Sequence, residues 1–207
     1  MNRWTVIVVT LATLVAGCGG ERTPAAAASA TATATAAAPQ HVDSMVPREV
    51  ALERFREGMK EVDRFTGGAP SRDALVRDWV RAIEANETAS LARLRISRDE
   101  FAWLYYPTAS QGLPPYDLSP SLMWFVVDGG SNKGQARLLQ DRGGKPLHVI
   151  GYSCDPKSSK EGDNVVWGPC TIKRVATPRD TIEERLFGLI VERGGEWKFL
   201  SYKGRYD

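Results

Sequence analysis

"LIVERGGEWKFLSY", residues 189–202, decides how the chain is read. Its apolar side chains come in two short runs separated by Gly194-Gly195. Such a pair turns a hairpin within two residues, because glycine takes positive φ without a steric penalty. In the second run Trp197, Phe199 and Ser201 recur at the spacing of two that puts strand residues on one face. The first run extends back to Thr181, with Leu186, Leu189 and Val191 as core candidates. Two segments further upstream have the same character: Pro146–Cys154, which alternates weakly, and Val165–Val175. In the latter, Pro169 has no N–H to give a ladder and implies an edge or a bulge. The C-terminal part is thus predicted to be a four-stranded antiparallel meander.

Upstream of Gly143-Gly144 the period changes from two to that of a helix. Leu52, Phe55, Met59 and Val62 form one apolar stripe, predicting a helix that starts at Pro47 and ends near "TGGAP" (residues 66–70). Ser71 is an N-cap with Asp73 in the first turn, and Leu75, Val76, Trp79, Val80 and Ile83 form the stripe behind it. Asn86–Leu94 reads as a short helical return. Ser97 and Glu100 fit the capping box S-x-x-E, opening a helix with Phe101, Leu104 and Tyr105 that stops before Pro107. Ser119-Pro120 is an N-cap followed by proline at the first helical position. The helix it opens is expected to break at Gly129-Gly130, with a polar helix resuming to Gln140.

Helices first and strands last predict an α+β domain, N-terminal helices packed on a C-terminal four-stranded antiparallel meander. This order resembles the NTF2-like (cystatin-like) superfamily over about Ala69–Asp207. The resemblance implies helices packed into the curve of a sheet, with a cone-shaped interior. The extra helical material between Ser97 and Gln140 departs from it.

The other informative end is "LATLVAGCGG", residues 11–20. Arg3 supplies a positive start, Trp4–Val15 an apolar core too short to span a bilayer comfortably, and Ala16-Gly17 small residues before Cys18. Val15-Ala16-Gly17-Cys18 resembles the lipobox of bacterial lipoproteins. That resemblance implies cleavage before Cys18 and acylation of Cys18. Gly19, where Asp is absent, resembles the pattern sent to the outer membrane. "TPAAAASATATATAAAPQ", residues 23–40, has no apolar face to bury and reads as a disordered tether. About 26 links of such a chain would hold the domain roughly 30 Å from its anchor. The organisation expected is a signal peptide (1–17), a lipidated cysteine and tether (18–43) and a single α+β domain (44–207).

The net charge of +2 offers no field for a polyanion, and no basic stripe is interleaved with aromatics, so nucleic acid is not an expected partner. Cys154 and Cys170 remain once Cys18 is committed to lipid. Export to an oxidising compartment and a hairpin between them predict a disulfide. With only 2 histidines, His41 and His148, no zinc set is available, and no metal or cofactor is implied. "GYSCD" (151–155) has Asp155 where a nucleophile elbow needs glycine. "GGSNKG" (129–134) lacks the spacing of a phosphate-binding loop. No catalytic residue is assigned.

The candidate ligand-binding residues are aromatic: Trp103, Tyr105, Tyr106, Tyr116 and Trp124, with Glu100 and Asp117 as polar companions; core packing is the competing explanation. The function expected is a lipid-anchored envelope protein, facing the periplasm or the surface, whose domain binds a protein or a small ligand or serves as an envelope accessory. The alternative is a small-molecule enzyme using an NTF2-like cone.

Overall fold

The computed structural model describes residues 46–202. The expectations for the signal, Cys18 and the tether lie outside the described residues. The domain is α+β, with five helices followed by antiparallel strands in two sheets. Helix α1 is Arg48–Arg56, α2 Arg72–Glu84 and α3 Thr88–Leu94. The short α4, Arg98–Glu100, runs on through a π-helical turn (Phe101–Tyr105) and a 3-10 turn (Tyr106–Thr108), and α5 is Pro120–Arg142. The strands are β1 Val149–Cys154, β2 Ser159–Glu161, β3 Asn164–Trp167, β4 Cys170–Thr177, β5 Asp180–Glu184, β6 Ile190–Arg193 and β7 Glu196–Phe199.

The expected single meander is corrected. One sheet has the order β1-β4-β5, the other β2-β3-β6-β7. Each of the two long strands read from sequence is two strands that cross from one sheet to the other. The first crossing is at Gly168-Pro169, where Gly168 has φ 131° and Pro169 cannot donate to a ladder. The second is at residues 185–189. At the hairpin tip, Gly194 and Gly195 have φ 59° and 84°, as the two-residue turn requires.

In the β2-β3-β6-β7 sheet, strands β3, β6 and β7 are covered on both faces. Ile190 and Phe199 point into one apolar cluster with Leu75, Trp79, Ile83 and Phe187. Their chain neighbours Val191 and Leu200 point into another, with Phe55, Phe101, Tyr106 and Met123. Alternation along a strand produces this split, and it explains why "LIV" and "FL" carry adjacent apolar residues. Helix α5 serves both clusters, through Met123 at one end and Leu138 at the other. At its C-terminal end Arg142 meets the buried Glu184 carboxylate at 3.0 Å, which Arg174 of β4 also binds.

Two helix expectations are corrected as well. Helix α1 stops at Arg56 because Gly58 takes φ 73°, a left-handed ending that glycine tolerates; Met59 and Val62 still pack on the core from a non-helical segment. Helix α5, conversely, runs straight through Gly129-Gly130. Tertiary contacts hold it. The Arg95 guanidinium donates to Asp128 and to Asn132, both at 3.0 Å, and the Ser131 hydroxyl donates to Val127 O at 2.7 Å while accepting from Tyr202 N. A Cβ on the exposed Gly129 would meet nothing within 4 Å. Gly129→Ala should therefore stabilise the domain by about 0.5–1 kcal/mol, raising Tm by about 1–4 °C in thermal denaturation. An unchanged or lower Tm would mean that the glycine pair is needed in its own right.

Candidate functional site

The π-helical turn decides where the predicted aromatic residues go. Tyr106 N donates to Phe101 O, five residues back, and the Leu104 carbonyl is taken by the fully buried Asn164 side chain at 2.9 Å. Tyr105 and Tyr106 are both buried. Phe101 stands between them and Trp124, with ring centroids 6.0, 5.9 and 5.2 Å away. The Tyr106 hydroxyl donates to Leu118 O at 2.8 Å. Burial raises the pKa of Tyr105, and the neighbouring Glu161 carboxylate adds to it. Trp103 packs half-buried against the same cluster, with the Arg56 guanidinium 3.9 Å from its ring centroid. Tyr116, 68% exposed, stands alone on the loop before α5. The structure thus buries Tyr105 and Tyr106, packs Trp103 and Trp124 half-buried against the same cluster, and leaves Tyr116 outside it. Tyr106 also edges a groove of about 470 Å³ with Val46, Arg48 and Asp117.

Glu100 is a capping-box residue, as read from sequence: Ser97 Oγ accepts from Glu100 N at 3.1 Å, and Glu100 Oε2 from Ser97 N at 2.8 Å. It also has a partner that periodicity hides. Lys198, on the Leu200 face of β7, is buried and donates to both Glu100 oxygens at 3.0 and 2.7 Å and to Thr66 O at 2.7 Å. Burial pushes the Lys198 pKa down, against the pull of Glu100. Cys154 and Cys170 are bonded as expected, facing each other in the β1–β4 ladder with Cα atoms 3.9 Å apart.

A second apolar groove lies between α2 and β1, with a volume of about 430 Å³. Val76 and Val80 line it from the helix; Val149, Ile150, Gly151 and Tyr152 line it from the strand. Four consecutive strand residues line the groove, so β1 offers it an edge and not a single face. Among the described residues no strand pairs with that edge, because β1 is terminal in its sheet. The outer edge of β7, in contrast, is closed by Ala69, which exchanges hydrogen bonds with Trp197, and by Ile96 N, which donates to Phe199 O.

Arg77 and Arg81 flank the groove. At one end the Tyr152 hydroxyl donates to Asp73 and accepts from Arg72 Nε at 3.3 Å. Partial burial, then the bond to Asp73, raises the Tyr152 pKa and keeps it a donor. The Arg72 guanidinium extends over Trp167, 4.9 Å from its centroid, and Trp167 stacks on Trp197 at 6.2 Å. None of these groove residues was a sequence candidate for binding. Two faint signals existed: Val80 widens the α2 stripe beyond one face, and Ile150 breaks the alternation beside Val149. The exposure of Ile150, 58%, is what those signals meant.

Among the described residues no cluster of His, Cys, Asp or Glu could hold a metal ion. Comparison of the chain with protein-family models, with curated proteins and with solved structures returns no match.

Proposed function

We propose that the chain is a lipid-anchored cell-envelope protein whose domain is a non-catalytic binding module, taking an extended acidic peptide segment of an envelope partner into the α2–β1 groove. One observation carries the binding part: a strand edge that no described residue pairs with runs along an apolar groove flanked by Arg77 and by Arg81, which also pairs with Asp78. An added strand satisfies the free backbone groups of the edge, its alternate side chains fill the Val76–Val80 floor, and its carboxylates meet Arg77 and Arg81. The anchor rests on the Val15–Cys18 pattern, and the Cys154–Cys170 disulfide fits export to an oxidising compartment.

The alternative, a small-molecule enzyme in an NTF2-like cone, needs an enclosed interior. Between these helices and sheets stand the fully buried rings of Trp79, Phe101, Phe187 and Phe199, which favours the binding reading.

Short peptides alternating Val or Thr with Glu or Asp are the probe, titrated into the mature chain while its backbone amide signals are followed by NMR. Val76, Val80 and 149–152 should shift on saturation. Ile150→Asp should weaken binding about tenfold or more by losing apolar burial, and Arg77→Glu should weaken it for acidic peptides only. Shifts elsewhere, or equal binding by both variants, would refute the site.

A further inference from the structure

The solvent face of α5 is the wrong kind of surface for a helix bathed in water. Met123, Val127, Ser131, Gly134 and Leu138 form its inward stripe, at spacings of three and four. The outward stripe begins with Leu122, Phe125 and Val126, which are 50%, 72% and 49% exposed. Exposed apolar residues scattered singly are ordinary, but three large ones within one turn form a patch. Further along the same stripe come Gly129, Lys133, Ala136 and Arg137, all exposed, and no acidic residue lies on it up to Gln140. Of the acids near it, Asp128 is engaged by Arg95, and Asp141 follows Arg137 by one turn at the end of the helix. Leu122 and Arg137 lie roughly 22 Å apart along the axis. The stripe therefore has an apolar section and then a cationic section, both facing away from the domain.

The described chain begins near the N-terminal end of α5. Val46 and Pro47 share a groove with Ser119, the N-cap of α5. Among the described residues no helix is long and apolar enough to cross a membrane, so α5 is not a span. An interfacial helix has a different signature: bulky apolar side chains that reach the acyl boundary, with Lys and Arg placed to meet anionic headgroups.

We infer that the outward stripe of α5 docks on the surface of the lipid bilayer that carries the anchor, Leu122, Phe125 and Val126 entering the headgroup–acyl boundary and Lys133 and Arg137 contacting anionic headgroups. This rests on the lipoprotein reading for the bilayer's proximity, while the stripe itself rests on geometry. The docked domain has one orientation, and the tether serves to hold it near the surface.

The test uses the full chain, purified from membranes and reconstituted into vesicles of phosphatidylethanolamine and phosphatidylglycerol. Mass spectrometry of the N-terminus first reports whether Cys18 is acylated. Cysteines introduced singly as Leu122→Cys, Phe125→Cys and, as control, Ala92→Cys carry a fluorophore sensitive to water. The expected result is a blue-shifted emission, quenched by spin-labelled lipids, at positions 122 and 125 and not at 92. Lys133→Glu with Arg137→Glu should lower that quenching several-fold, as should vesicles of phosphatidylcholine alone.

Acyl mass at Cys18 with water-like emission at 122 and 125 would overturn the docking and leave the anchor standing. Shielding of position 125 that rises with protein concentration without lipid, with cross-links between two copies through that position, would overturn it in favour of self-association. If Cys18 carries no acyl mass, the anchor reading fails. The unlipidated chain then decides the stripe: sedimentation with the anionic vesicles, lowered about tenfold by Phe125→Asp, supports it, and absence of sedimentation refutes it.

Discussion

Glu100→Gln should lower the unfolding free energy by about 3–5 kcal/mol, the cost of leaving an ammonium group buried without its counter-charge. The Glu100 carboxylate accepts from Thr66 N, from Ser97 N and twice from Lys198 Nζ. An amide keeps one acceptor oxygen and turns two hydrogens toward groups that are themselves donors. The side chains of Lys198 and Glu100 are each 3% exposed, so water cannot make up the difference. Lys198→Met alone should cost less, because the carboxylate retains two backbone N–H donors. The double variant should be more stable than the two single losses added together, by more than about 1 kcal/mol.

The pH dependence has a definite sign. Burial lowers the Lys198 pKa in the folded protein, so between that value and the unfolded one, about 10.4, the unfolded chain binds more protons. Stability contributed by this group therefore rises with pH through that window. In Glu100→Gln only burial remains, so the window widens and the variant should regain stability toward pH 10. Urea unfolding of the four proteins of the cycle at two pH values measures all of this. A loss below about 1 kcal/mol for Glu100→Gln would show that the pair contributes no more than a surface ion pair.

The second large effect belongs to the disulfide. It sits where the chain leaves the β1-β4-β5 sheet and where it comes back. Between Cys154 and Cys170 the chain crosses to the other sheet, forms the β2–β3 hairpin there, and returns at Pro169, whose carbonyl accepts from Asp155 N at 3.0 Å. The bond thus closes the base of an excursion between two sheets. With a sequence separation of 16, the chain-entropy model puts its contribution at about 3 kcal/mol. Replacing both cysteines by alanine should lower Tm by about 6–12 °C, at the 2–4 °C per kcal/mol typical of this chain length. Calorimetry of the oxidised protein, the reduced protein and the double variant checks this. A drop of less than about 2 °C would mean that the β1–β4 ladder holds that crossing unaided.

Local chemistry was readable because its causes lie within a few residues. The caps at Ser71, Ser97 and Ser119 each accept the expected backbone N–H, and the Gly194-Gly195 turn is where glycine demands it. The disulfide was readable because few cysteines were left to choose from. The order of helices and then strands gave the α+β class. Failures came where distant contacts override local preference. Arg95, Tyr202 and Ser131 hold α5 through two glycines that alone would break it. A sheet buried on both faces looks, in one dimension, like a strand with a minor irregularity. Lys198 alternates as a solvent-facing residue should, yet its neighbour in space is Glu100. The α2–β1 groove left almost no trace, since an open strand edge is a property of sheet order and not of residue type.

The double covering of β6 and β7 constrains how this protein can diverge. Ile190 answers to the Trp79 layer and Val191 to the Phe101 layer, one peptide bond apart. A volume change at either position tilts a strand that is also the wall of the opposite layer. Compensating substitutions must therefore be sought across the sheet as well as within a layer. The two halves of the molecule are bound to drift together.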